Sequence, residues 1–199
     1  MIKGILFDMD GVVVTQQLDF AAIKREIFGD GSGFILERME LLDAAGLARA
    51  NAILDRHETE AAHIAQPMDG VVPFLGWMER EGLRRGLVTR NSRKTVGILQ
   101  ERLGLRFDAI VTREDAAPKP SPEPVLVACR ILGVAPAETV FIGDGEFDML
   151  AGRTAGCTTV LLMNTKYPSS PNADYQIERF AELRGVVERL RAGETRRSG

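Results

Sequence analysis

Apolar positions along this chain gather into five short runs of strand length, at residues 2–7, 84–89, 109–112, 139–142 and 158–163. The runs are rich in β-branched residues and do not alternate cleanly with polar ones, a pattern that suits strands covered on both faces. The segments between them carry helix boundaries. Asn91 or Ser92 can cap a helix that runs to about Leu103, with Gly104 at its end. Ser121-Pro122-Glu123 is a cap followed by proline at the first helical position, and that helix reads on to Leu132 and Gly133. Strand and helix in alternation predict an α/β fold with a Rossmann-like, doubly wound parallel sheet.

One stretch breaks the alternation. From about residue 18 to 66 there is no convincing strand, only helical patterning. Leu47, Ala50, Ile53, Leu54, Ala61 and Ile64 recur at spacings that form one apolar stripe, and Gly29-Asp30-Gly31-Ser32-Gly33 breaks the helical region. An all-helical insert just after the first strand reads as a small lid, or as helices packed rigidly on one edge of the sheet. Pro67 and the Asp69-Gly70 turn mark the return to the sheet, where an amphipathic helix begins at Val71. The expected division is a core of residues 1–15 and 68–192, a helical cap of 16–67, and an unstructured polar tail of 193–199.

Composition narrows the function. The chain has 199 residues, 45% of them hydrophobic, and a formal net charge of -3. That weakly acidic balance lacks the basic footprint nucleic-acid binding needs, so an anionic ligand must be drawn by a few placed cations. No apolar run reaches the length of a membrane span, and the N-terminus begins a strand rather than a signal peptide. Cys129 and Cys157 sit in apolar surroundings without metal-ligand spacing, which suggests buried free thiols in a reducing cytoplasm. His57 and His63 lie in a polar helical stretch and read as solvated. A monomer is the default.

Open parallel sheets place ligands beyond the carboxyl ends of their strands. After the first strand stand Asp8 and Asp10, followed by Gly11; alone, this stretch is equally a turn or a site. After the second come Thr89, Arg90, Asn91 and Ser92, leading into a helix whose free N–H groups favour an anion. After the third a loop leads to Lys119, and after the fourth stand Gly143-Asp144 and Asp148. If the four carboxylates converge, each close pair repels by roughly 4 kcal/mol at about 4 Å and an effective dielectric near 20. Lys119 offsets part of this, and the remainder requires a proton, a divalent cation, or both. Carboxylate oxygens without nearby His or Cys suit a hard ion, Mg²⁺ better than Ca²⁺. A phosphoryl group then fits, neutralised by the metal and Lys119 and held by Thr89 and main-chain amides. The two leading carboxylates divide the work, with Asp8 ionised as nucleophile and Asp10 protonated as acid and base.

These four stretches, in this order, resemble the motifs of the haloacid dehalogenase-like hydrolases. Asp8-Met9-Asp10-Gly11-Val12 looks like the first, Thr89 the second, Lys119 in Pro118-Lys119-Pro120 the third, and Gly143-Asp144 with Asp148 the fourth. The resemblance implies a Mg²⁺-dependent phosphatase similar to the small phosphoglycolate phosphatase-like members, acting on a phosphorylated metabolite. It implies an aspartyl-phosphate on Asp8, phosphate held by Thr89 and Lys119, and metal held by Asp8, the Asp10 carbonyl and Asp144 with Asp148 beside them. Arg90 and Asn91 extend the phosphate-binding set. Val12 stands where many members have Thr, and Arg90 where a small or amide residue is usual. Arg90 then reaches a second anionic group of the substrate or forms a surface ion pair. Arg25, Arg38 and Arg90 are candidates for substrate contact by charge alone. The alternatives are a phosphomutase or phosphotransferase of the same fold and, from another class, a non-catalytic phosphate-binding regulatory module.

Overall fold

A computed structural model describes residues 1–193. Its centre is a six-stranded, wholly parallel sheet in the order β3-β2-β1-β4-β5-β6. The strands are β1 (Gly4–Phe7), β2 (Arg84–Val88), β3 (Ala109–Val111), β4 (Thr139–Gly143), β5 (Thr158–Leu162) and β6 (Tyr175–Ile177). The first five fall on the five apolar runs. The sixth is only three residues long, with Tyr175 half-buried and Gln176 exposed, too short and too polar to stand out in the sequence.

Side chains alternate across the sheet, and each face is covered. Ile5 and Phe7 point into one core layer with Phe74 of helix α4 (Val71–Arg80) and Val186 of helix α8 (Leu183–Arg191). Leu6 points the other way, with Phe141, against Val125 and Cys129 of helix α6 (Glu123–Leu132) and Ala151 of helix α7 (Glu146–Ala155). Helix α5 (Arg93–Leu103) joins the first layer through Val96 and Leu99. Its cap is Ser92, whose hydroxyl accepts from the Thr95 amide at 3.2 Å, and Gly104 closes it at φ +66°. Helix α6 begins one residue later than its sequence signal, but the Ser121 hydroxyl still accepts from the Glu123 amide at 3.2 Å.

Three helices fill the interval between β1 and α4: α1 (Phe20–Phe28), α2 (Ile35–Met39) and α3 (Ala44–Ile64). They have a core of their own in Ile23, Met39, Ala50 and Leu54. The stripe read from the sequence is rotated from the face that α3 buries. Gly46, Ala50, Leu54, Glu58 and Ala62 face inward, whereas Ile64 is 61% exposed and Leu47 partly so. A charged residue sits in that buried row because the core carries its partners. Glu58 accepts from the Ser92 amide (3.2 Å), the Thr95 hydroxyl (3.0 Å) and the Arg113 guanidinium. His57 is likewise more constrained than a solvated histidine, since Nε2 lies 2.8 Å from Glu26 on α1 and the side chain is mostly covered. His63 is exposed. Residues 194–199, which make up most of the tail expected to be unstructured, lie outside the described residues. Among those described, no helix is long and apolar enough to cross a membrane.

Candidate active site

Strand order reverses at β1, which has β2 on one side and β4 on the other. A crevice opens at the carboxyl end of such a switch point. The segments after β1, β2 and β4 therefore meet, and the loop before α6 joins them. Asp8 follows β1 directly, its amide donating to the Ile142 carbonyl of β4 at 2.9 Å. The chain then turns back through Gly11, whose amide donates to the Val14 carbonyl at 2.7 Å. Gly11 sits at φ +79°, and a β-carbon there would overlap the Asp144 carboxylate. Glycine is thus what lets the first loop lie against the fourth. Gly143 plays a similar part, since a β-carbon on it would overlap Asp148 at the first turn of α7.

Lys119 is the hub. Its side chain is 3% exposed, and Nζ donates to Asp8 Oδ1 at 2.5 Å, to Asp148 Oδ1 at 2.6 Å and to the Val88 carbonyl at 3.0 Å. Asp148 holds the lysine from one side while its other oxygen accepts from the Gly145 amide at 3.1 Å. Beside them, the Asn91 amide donates to Asp10 Oδ2 and to the Thr89 hydroxyl, the latter at 3.1 Å. The eight residues assigned to catalysis, phosphate or metal from the sequence (Asp8, Asp10, Thr89, Arg90, Asn91, Lys119, Asp144 and Asp148) line one cavity of about 1100 Å³, which residues of α1, α2 and α3 also line.

The charge balance is strained as the sequence implied. Burial pushes the Asp8 carboxyl up to about 6, Lys119 pulling against it and Asp148 adding to it. Burial and then the Asp8 charge raise Asp10 to about 7, although its bond from Asn91 opposes the shift. Asp144 is pushed to about 8 by burial and by Asp8 and Asp148. Burial disfavours the Lys119 ammonium, but Asp148 and Asp8 outweigh it and raise its pKa. Asp8, Asp144 and Asp148 each offer a carboxylate oxygen within 4.8 Å of the others. Several acids facing one lysine, with oxygen as the only donor atom, fit a hard divalent cation.

A family model for haloacid dehalogenase-like hydrolases matches residues 2–156, which include every one of these groups. The chain belongs to that family. An uncharacterized hydrolase of Saccharomyces cerevisiae is 35% identical over 82% of this chain and 78% of its own. The N-acetylmuramic acid 6-phosphate phosphatase of Pseudomonas aeruginosa is 29% identical over 94% of this hydrolase and 96% of that protein. In fold, the β-phosphoglucomutase structure from Clostridium difficile superposes with a TM-score of 0.80 at 18% identity, covering 97% of this chain and 99% of that one.

Not every cation is placed where charge alone suggested. Arg90 turns away from the strand ends to Glu37 on α2, with Nη2 2.9 Å from both carboxylate oxygens, and Nη1 donates to the Lys119 carbonyl at 2.5 Å. Its guanidinium also lies 5.1 Å from the centre of the Phe147 ring. Arg38 is occupied by Asp30 and stacks on Phe28 at 3.9 Å, and Arg25 is exposed; neither lines the cavity. Asn164, unnoticed in the sequence, holds Asp144 from behind by donating to its carbonyl at 2.7 Å and its carboxylate at 3.4 Å. It stands just past β5, so the rule of strand ends, applied to a fifth strand, points to it.

Proposed function

We propose that this hydrolase is a Mg²⁺-dependent phosphatase that cleaves a phosphomonoester of a small metabolite through an aspartyl-phosphate on Asp8. The observation that carries this reading is the Lys119 bridge between Asp8 and Asp148 at the floor of a large cavity, with Asp144 in the same cluster. Asp8 and Asp144 would hold the cation with the Asp10 carbonyl, and the cation would neutralise phosphoryl oxygens and keep Asp8 ionised for attack. Lys119 and the Thr89 hydroxyl bind the remaining oxygens. Asp10, raised by its burial, enters the first step protonated and gives that proton to the leaving oxygen. It then accepts a proton from the water that attacks the aspartyl-phosphate. Asn91 holds the Asp10 carboxyl in place for both transfers. Asp148 acts by fixing Lys119.

Residues 16–67 serve as the cap. Their helices line the cavity and keep bulk water from the acyl phosphate. The two free buried thiols, Cys129 and Cys157, agree with a cytoplasmic enzyme. The deciding assay is phosphate release from an aryl phosphate. It should require Mg²⁺ and vanish in Asp8→Asn, and release that survives that change or thorough chelation refutes the mechanism. Asp10→Ala should lose turnover far more than Mg²⁺ affinity.

A further inference from the structure

The cavity is larger than a phosphate site needs. At about 1100 Å³ it reaches the upper range of pockets that take drug-sized ligands. Beyond the acidic floor, its wall from the inserted segment is mostly apolar, with Leu18, Phe20, Phe34 and Ile35 beside Gln16 and the buried Glu58. One cation interrupts that wall. Lys24, on α1, is half-buried, and its ammonium makes a single long hydrogen bond, to the Gly33 carbonyl at 3.4 Å. It pairs with no carboxylate among the described residues.

The other cations of the cavity are placed differently. Lys119 bridges two aspartates, and Arg90 is held by Glu37 and the Lys119 carbonyl. Arg179 is largely exposed and pairs with Glu182, and Lys166, which lies over the Tyr167 ring, is exposed and keeps its water. Of the carboxylates outside the acidic floor, Glu58 is satisfied by Arg113, Ser92 and Thr95 and Glu146 by Ser170 and Asn172, while Asp69 and Glu178 are solvent-exposed. Lys24 is thus a partly desolvated positive charge on a mostly apolar wall. A neutral leaving group that filled this space would strip its remaining water without replacing it, whereas an anionic end would restore the lost interaction.

We propose that the substrate carries a second anionic group, a carboxylate or a second phosphate, at the end remote from the scissile phosphate, and that Lys24 binds it. This inference rests on the phosphatase reading given above. The experiment compares alkyl phosphates in a graded series of chain lengths, each ending in a carboxylate, a phosphate or a neutral hydroxyl. At the chain length that spans the cavity, a charged end should raise kcat/KM over the hydroxyl by roughly tenfold or more, the usual worth of a charge-assisted contact. The carboxylate and phosphate arms show which anion is preferred. Lys24→Gln should bring that ratio close to one, mainly through KM, and Lys24→Arg should keep most of it. Hydrolysis with no charge preference at any length, or a preference that survives Lys24→Gln, overturns this inference alone. Absence of hydrolysis throughout the series, with Mg²⁺ present, overturns the phosphatase reading and this inference with it.

Discussion

The buried acids should make the stability of this protein depend on pH in an unusual direction, and a bound cation should oppose it. Asp8, Asp10 and Asp144 have carboxyls raised to about 6, 7 and 8 from an ordinary 3.8. Each folded-state value lies above its unfolded value, so folding takes up protons. The contribution to stability is full below about pH 4 and is lost as pH rises through 6 to 8. For Asp10 alone, raising the pH from 5 to beyond 7 spans about two decades of proton affinity, or about 3 kcal/mol. Asp8 and Asp144 push in the same direction, but their shifts share a mutual repulsion, so the three losses do not add. On the proposed function, Mg²⁺ should oppose this by binding the ionised cluster of the folded state, adding about 2.7 kcal/mol at a hundredfold excess over its Kd.

Urea unfolding at pH 5, 7 and 8.5, with chelator and with excess Mg²⁺, measures both effects. Without metal, stability should fall by several kcal/mol across that range, and the Mg²⁺ increment should be largest at pH 8.5. Asp10→Asn cannot ionise there and should flatten the metal-free slope by about 3 kcal/mol. A metal-free stability that is level or rises from pH 5 to 8.5 refutes the charge balance described for the site. So does a slope that Asp10→Asn leaves unchanged.

Three other changes test separate parts of the structure. Asn164→Ala removes the group that orients Asp144 and should weaken Mg²⁺ binding by roughly 10- to 100-fold, measured by calorimetry, while Asp8 and Lys119 stay in place. Gly11→Ala combines a φ of +79° with overlap on the Asp144 carboxylate, and should lower both stability and Mg²⁺ affinity; a variant with unchanged affinity contradicts the close approach of the two loops. Glu58→Ala leaves Arg113, whose side chain is 12% exposed, with Asp55 as its remaining carboxylate and strips an acceptor from Ser92 and Thr95. Denaturant melts should show a loss of roughly 3–5 kcal/mol, and a loss under 1 kcal/mol would mean that the buried tie between α3 and α5 is dispensable.

The sheet and its strand ends were legible because one physical rule connects them to sequence. A buried parallel strand is a short apolar run, and ligands gather where such runs stop. Asp8, Thr89, Lys119 and Asp144 each follow a run or the loop from one, and the structure brings all four to a single cavity. Asn164 is not legible at the end of β5 because the Asn-Thr-Lys-Tyr stretch there carries no carboxylate to mark a site. The strand β6 escaped for a different reason: three residues, one of them an exposed glutamine, leave no periodic signal.

The inserted helices were legible as helices but not as a surface. Apolar spacing alone allows α3 more than one inward face, and the face it buries contains Glu58, which hydropathy would place outside. Only the partners Ser92, Thr95 and Arg113, brought from the far side of the chain by the sheet, make a buried carboxylate there tolerable. Arg90 shows the same dependence in reverse. Beside Thr89 its charge suggests a hand on the substrate, yet Glu37, more than fifty residues away in sequence, holds it. Lys24 had no distinguishing neighbour in the sequence and gains its interest from what the fold leaves it without. The charge cluster of the floor is set by residues local to strand ends, while which cations of the cavity stay unpaired is set by distant partners. The first can be read along a chain, and the second requires the chain to be folded.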